Sequence, residues 1–247
     1  MKQRRFRVEK ELVRWPEAAI VDPREIRHIT RVLRLGPDDK VTLFDGEGNE
    51  YGARIDSLSP GKISFVLLQE PARASGESPL RIILGAALLK PGKFDWLLQK
   101  ATELGTAEIV PFYSARVVPR WEETRTAARQ NRWEKIVAEA AKQCGRARVP
   151  RIHKPDSFEA TLLKDFGGAG KIFLWEREET ERLSGALEGA SRGVVALVGP
   201  EGGFSDPEAE LARRAGFRPV GLGPRVLRAE TAGVLIVGLL QFLLGDL

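Results

Sequence analysis

Two loops toward the end of the chain carry residues whose types and spacing could bind and transform a ligand. The first, Val198-Gly199-Pro200-Glu201-Gly202-Gly203-Phe204-Ser205, follows an apolar run and leads into the helix-opening pattern Ser205-Asp206-Pro207-Glu208. Two adjacent glycines let a ligand approach the backbone closely and permit positive φ. Alone, Gly202-Gly203 is more simply a tight turn. A phosphate loop matches less well, because the Walker spacing and the GxGxxG pattern are both missing from it and Glu201 repels an anion. A neutral or cationic ligand fits better; S-adenosylmethionine, a sulfonium without phosphate, is such a ligand. The second loop is Leu222-Gly223-Pro224-Arg225-Val226-Leu227-Arg228-Ala229-Glu230-Thr231-Ala232. Leu222, Val226 and Leu227 could enclose an aromatic base while their backbone groups read an adenine edge. Arg228 and Glu230 stand beside an apolar helix, either as working groups or as a simple capping pair.

These loops need elements to hold them. From residue 80 onward, strand-like runs and helical stripes alternate. Leu80–Leu89 reads as a buried strand, and Phe94, Leu97, Leu98 and Ala101 make a helical stripe that ends at Gly105. Glu108–Phe112 is a second strand. A long helix, roughly Ala127–Cys144, places Trp133, Ile136, Val137, Ala140, Ala141 and Cys144 on one face. Ile172–Trp175, Val194–Val198 and Pro219–Leu222 are three more strands. Ser205 and Glu208 form a capping box for a helix ending near Gly216. Ala229–Leu244 is apolar nearly all round, so it must be buried in a core or against another subunit. This alternation predicts an α/β domain with a mostly parallel sheet. Earlier in the chain, Arg5–Val8, Lys40–Phe44, Tyr51–Leu58 and the period-two residues Ile63, Phe65 and Leu67 predict short strands. They surround one helix, Pro23–Leu35, stopped by Gly36, as in a small β-barrel. The small, polar stretch Pro71–Pro79 is the linker, giving domains 1–72 and 73–247.

Composition sets the outer limits. The chain has 247 residues, 43% hydrophobic and 30% charged, with a formal net charge of +5. One cysteine and two histidines preclude an internal disulfide and a cysteine- or histidine-rich metal cluster, so no metal is expected. The basic start lacks the apolar run of a signal peptide. The most apolar stretch, Gly233–Gly245, is too short to span a bilayer, so a cytoplasmic protein away from membranes is expected. Basic residues cluster: residues 1–35 hold ten Lys/Arg against five Asp/Glu, and residues 116–154 eleven against four. Such clusters suit nucleic acid.

Taken together, the two loops resemble the RsmE family of ribosomal RNA methyltransferases, in the SPOUT superfamily. Lys93-Phe94-Asp95 through Gln99-Lys100-Ala101-Thr102-Glu103-Leu104-Gly105 is similar to that family's first helix. Arg132-Trp133 through Glu139-Ala140-Ala141-Lys142-Gln143-Cys144-Gly145-Arg146, with Val149-Pro150, resembles another of its blocks, and His28-Ile29-Thr30-Arg31-Val32-Leu33-Arg34 its N-terminal signature. The resemblance implies an N-terminal PUA-like β-barrel and a C-terminal SPOUT domain whose parallel sheet carries a deep trefoil knot. It implies a homodimer that uses S-adenosylmethionine to methylate N3 of a uridine in 16S (small-subunit) ribosomal RNA, free or within the assembled small subunit. By the same likeness Gly199, Pro200, Glu201, Gly202 and Gly203 form one cofactor loop, and Leu222, Gly223, Val226, Leu227 and Arg228 the other. Leu174-Trp175-Glu176 supplies a third wall. Arg228 and Glu230 are the expected catalytic residues, with Glu201 a second candidate for the base. Arg4, Arg5, Arg7, Arg31, Arg34, Arg132 and Arg146 are expected at the RNA, while His28 is structural and Cys144 a packed small side chain. Two other readings stay open: methylation elsewhere in RNA, such as a ribose 2′-hydroxyl, and RNA binding without catalysis.

Overall fold

The computed structural model describes residues 4–74, 76–116, 123–178, 181–189 and 193–247, with the side chains of 123–126 excepted. The chain divides into two units, Met1–Glu77 with Ala141–Val149, and Ser78–Ala140 with Pro150–Leu247.

The first unit is a seven-stranded sheet. Its strands are β1 (Arg5–Arg7), β2 (Val13–Arg14), β3 (Glu17–Ile20), β4 (Lys40–Phe44), β5 (Asn49–Ser59), β6 (Lys62–Leu67) and β7 (Ala72–Arg73). The order β1-β4-β5-β6-β3-β2 is antiparallel except for β1, which lies parallel to β4. Alternation in the sequence becomes alternation of burial: Ile63, Phe65 and Leu67 point inward from β6, joining Phe6, Ile29, Leu43 and Ile55. The Asp45 carboxylate organises the β4–β5 turn by accepting from the backbone N–H groups of Glu47 and Asn49 and from the Asn49 amide.

The helix of this unit is shorter than its sequence suggests. α1 (Pro23–Arg27) opens on an Asp22 cap, then widens into a π-helical turn over His28–Val32. The chain leaves it at Arg34, whose φ is +52°, rather than at Gly36. Closure by Leu35 N–H on the Ile29 carbonyl carries Leu35 into the core. Of the stretch expected as linker, Ala72–Arg73 is strand and pairs with β5. The return of Ala141–Val149 to this unit is a discontinuity that no single linear boundary expresses.

The second unit is the alternating α/β domain. In chain order it contains β8 (Ile82–Ala87), α2 (Pro91–Glu103), β9 (Glu108–Tyr113), α3 (Glu123–Cys144, whose last four residues count with the first unit), β10 (Arg151–Ile152), β11 (Asp156–Ser157), α4 (Phe158–Leu162) and β12 (Gly170–Leu174). It continues with α5 (Leu183–Ala186), β13 (Val194–Val198), α6 (Asp206–Arg214), β14 (Arg218–Val220) and α7 (Ala229–Leu244). The sheet order is β10-β9-β8-β13-β12-β14, and every pairing is parallel. β8 and β13 are buried at every position, as central strands covered on both faces must be. On α3, Trp133, Val137, Ala140 and Ala141 are buried as expected, and Trp133 packs on Phe94 of α2 at 4.8 Å. Cys144 is a correction: it lies exposed at the end of α3, three residues past Ala141, the last buried position of the stripe. α7 buries Gly233, Ile236, Val237, Leu240 and Gln241, while Leu235, Phe242, Leu243 and Leu244 remain exposed.

α6 begins with the expected capping box: the Ser205 hydroxyl accepts from the Glu208 N–H, and the Glu208 carboxylate accepts from the Ser205 N–H at 2.9 Å. Its other oxygen accepts from the Ala115 N–H at 2.9 Å, tying the helix start to the end of β9. Burial pushes the Glu208 carboxyl up, but these hydrogen bonds outweigh it and hold the group below its ordinary value of 4.5. A depressed carboxylate stabilises the fold above its unfolded pKa and loses that contribution as pH falls through the folded one. Glu208→Gln is therefore expected to cost about 1–2 kcal/mol at pH 7. Urea titrations at stepped pH should show the gap to the parent protein closing below the carboxylate range. A gap that persists undiminished in acid would mean that shape, not charge, carries the interaction.

Candidate functional site

In an all-parallel sheet the C-terminal ends of neighbouring strands face the same way, and ligands bind in the crevice beyond them. Here the loops following β12, β13 and β14 enclose a cleft of about 920 Å³. Each is fixed from below. Phe204, at the end of the Gly199–Gly203 loop, is 1% exposed and packs within a cluster of aromatic rings, 5.2 Å from Phe158 and 5.9 Å from Phe173. Trp175 after β12 donates its backbone N–H to the Val220 carbonyl on β14, and Arg213 stacks its guanidinium over the indole at 4.5 Å. The loop after β14 ends where α7 begins, with Arg228 as its cap residue.

Two glycines here are required by geometry. Gly203 adopts φ +67°, and a Cβ on it would stand 2.5 Å from a carboxylate oxygen of Glu176. A Cβ on Gly221 would run into the backbone carbonyl of Glu178, which no side-chain movement relieves.

Leu174, Gly199, Pro200, Glu201, Gly202, Gly203, Leu222, Gly223, Val226 and Leu227 all line the cleft, while Arg228 and Glu230 do not. Arg228 is exposed at the head of α7. Glu230, in the first turn of α7, has a side chain only 12% exposed; one oxygen lies 3.6 Å from the Lys93 ammonium, and the other is buried without a partner. Lys93 also donates to Glu201 at 3.3 Å. Glu178, Glu181 and Arg182, which sequence reasoning passed over, stand in the cleft wall together with Arg225, and Lys93 stands behind it; sequence reasoning placed Arg225 and Lys93 in motifs but assigned neither a role in the site. The ion pair between Glu181 and Arg218 of β14 has no signature in spacing. The cleft thus combines apolar side chains such as Leu174, Val198 and Val226 with several carboxylates and closely approachable backbone. Such a surface suits a flat base joined to a cationic group.

The arginines expected at RNA divide by burial. Arg7, Arg31 and Arg34 are exposed. Arg4 is exposed but pairs with Asp39 at 2.7 Å; the Gly36 N–H and then Arg4 hold that carboxyl below its usual range. Arg132 pairs with Asp95 and keeps a 67% exposed side chain. Arg5 and Arg146 depart from expectation. They are 4% and 5% exposed. Arg5 is held by Glu50 and the Arg146 carbonyl, and Arg146 by Glu77. A buried, paired guanidinium has no face left for a phosphate. His28 sits edge-on to Phe6, with Nδ1 3.4 Å from Lys142. Among the described residues no cluster of His, Cys, Asp or Glu could hold a metal ion, and no helix is long and apolar enough to cross a membrane.

An α/β domain with an open, glycine-lined cleft at the carboxyl edge of its sheet is the class of site that takes a nucleotide-like ligand. Comparison with known proteins narrows this. Residues 76–241 match the RNA methyltransferase domain family, and residues 21–68 the RNA methyltransferase PUA domain. Ribosomal RNA small subunit methyltransferase E of Bacillus subtilis is 30% identical over 226 residues, covering 88% of this chain and 87% of that protein. Its Synechocystis counterpart is 31% identical, covering 89% and 71%. Among solved structures, the corresponding Neisseria gonorrhoeae protein bound to S-adenosyl methionine superposes with a TM-score of 0.89 at 33% identity over 99% of both chains. A putative methyltransferase of Legionella pneumophila in complex with the same cofactor gives 0.88 at 29% over 100% of both. The chain belongs to the RNA methyltransferase family, among the ribosomal RNA small subunit methyltransferase E (RsmE) proteins.

Gly203→Ala forces strain at positive φ and displaces Glu176. It is expected to lower stability by about 1–2 kcal/mol, read as a shift in the urea midpoint. An unchanged midpoint would mean that the loop relaxes freely and is not held as described.

Proposed function

We propose that this protein transfers the methyl group of S-adenosylmethionine to N3 of a uridine in small-subunit ribosomal RNA. The observation that carries the proposal is the cleft itself, whose three loops place apolar side chains, carboxylates and bare glycine backbone around one space. When bound there, S-adenosylmethionine supplies an electrophilic methyl group on a sulfonium. Leu174, Leu222, Val226 and Leu227 form the apolar enclosure for the adenine, and Gly199–Gly203 brings backbone and the Glu201 carboxylate to the cofactor. The match to cofactor-bound relatives over nearly the whole chain supports this assignment.

Uridine N3 carries a proton and attacks only once that proton leaves. Positioning supplies part of the acceleration, and a base typically adds about 10²–10⁴-fold. Glu230 is our candidate base: it is the carboxylate at the head of α7 next to Arg228, and Lys93 faces one of its oxygens at 3.6 Å. Arg228, exposed at the cap of α7, stabilises negative charge developing on the uracil carbonyls. Residues 1–72 form the PUA-like β-barrel that holds RNA, with Arg4, Arg7, Arg31 and Arg34 at phosphates, and residues 73–247 the SPOUT domain that does the chemistry. Arg132 offers a further phosphate contact. The strand order, in which β13 lies between β8 and β12, is compatible with a deep trefoil knot in residues 73–247. The exposed apolar residues Leu235, Phe242, Leu243 and Leu244 on α7 support a homodimer, and the whole acts in the cytoplasm.

The test is transfer of labelled methyl to small-subunit RNA, free and in assembled subunits, followed by nucleoside identification. We expect 3-methyluridine. Arg228→Ala should lower kcat by about 10²–10³-fold, with a smaller change in KM for the cofactor. A ribose 2′-O-methyl product would move the reaction to another RNA position, and cofactor-independent RNA binding without transfer would make the protein a binding module.

A further inference from the structure

Lys93 occupies the first turn of α2, where no acidic residue stands. A cation there opposes the helix dipole, whose positive end favours carboxylates, so the reason for its place lies in what it faces. It faces two carboxylates from two different loops. Its Nζ donates to Glu201 Oε1 at 3.3 Å and lies 3.6 Å from Glu230 Oε1. Glu201 belongs to the cleft wall; Glu230 stands behind it, with its side chain 12% exposed and its second oxygen buried and unpartnered. A half-exposed Lys–Glu pair contributes little to stability by itself. One ammonium shared by two loops is different, because removing it leaves the two carboxylates to repel each other and one of them buried without any cation.

We propose that Lys93 is a positioning residue: one ammonium on α2 that fixes the Gly199–Gly203 loop through Glu201 and orients the catalytic carboxylate of Glu230. Cofactor binding and the geometry of proton removal are then set by the same side chain, although Lys93 itself touches neither the cofactor nor the uracil. This rests on the methyltransferase reading of the cleft given above.

The experiment measures steady-state methyl transfer by the full chain, with KM for S-adenosylmethionine and kcat resolved separately, and with thermal midpoints recorded alongside. Lys93→Met is expected to raise that KM about tenfold or more and to lower kcat as well, since small misplacements at a reacting centre carry such penalties. Lys93→Arg keeps a cation within reach of both carboxylates and should recover most of both parameters. In a Glu201→Gln/Glu230→Gln background, adding Lys93→Met should change little further, because the partners it holds are already uncharged. Three results overturn the proposal. In the first, Lys93→Met stays within about twofold of the parent in both parameters. In the second, Lys93→Arg fails as completely as Lys93→Met while both lower the midpoint, which marks a packing role alone. In the third, the loss is undiminished in the double-Gln background. If the parent protein itself neither binds S-adenosylmethionine nor transfers methyl, the cleft assignment falls and this inference with it. If the parent is active and Lys93→Met is unimpaired, this inference falls alone.

Discussion

Phe204 is buried among the rings of Phe158, Phe173 and Phe112, and much of the site depends on this contact. It is the residue after two glycines, so the loop that should be softest ends on one of the most deeply inserted side chains of the domain. The ring also lies within 3.1 Å of where a Cβ on Gly199 would stand, so both ends of the loop close over the same aromatic surface. The capping box begins at the next residue, Ser205. Buried apolar contact and satisfied helix-end donors therefore act within two residues of each other, and the backbone between Gly199 and Gly203 has little freedom left.

The first unit achieves order differently. Its hydrophobic set is conventional, but charged groups are built into it. Glu25 accepts both hydrogen bonds from Lys142, and the ammonium also lies over the Phe6 ring at 5.0 Å. Glu77 receives Arg146 and the backbone N–H groups of Ala147 and Arg148. These contacts tie residues 141–149 to the sheet unit by paired, hydrogen-bonded charges, which tolerate loss of one partner poorly.

Periodicity made the large elements legible. β6 alternates and so announces its buried face; β8 and β13 are unbroken apolar runs and so announce a parallel sheet; Ser205 and Glu208 announce a helix start by chemistry alone. The expected cofactor loops were legible as glycines between an apolar run and a cap. The two-residue strands β2, β10 and β11 and the one-turn helices α4 and α5 were not, because so short a segment takes its conformation from what it packs against. Arg34 in the left-handed region is a case where closure of the π-turn overrides the local preference for Gly36. Long-range ion pairs were invisible for a related reason. Lys93 and Glu201 are 108 positions apart, and only the return of the sheet brings them together. The letters for Arg5 and Arg146 are the same as for Arg31 and Arg34, and nothing local says which pair the fold encloses.

That enclosure separates two properties of a basic protein that are usually treated as one. Arg5 and Arg146 are each neutralised by an acidic partner, Glu50 and Glu77, and the formal net charge of +5 is unaltered by their burial. The field that draws a polyanion in from a distance depends on that net charge. The counterions displaced once contact is made depend on how many cations can reach phosphates. Encounter is thus kept while grip is thinned, which favours a protein that samples RNA readily and leaves it readily.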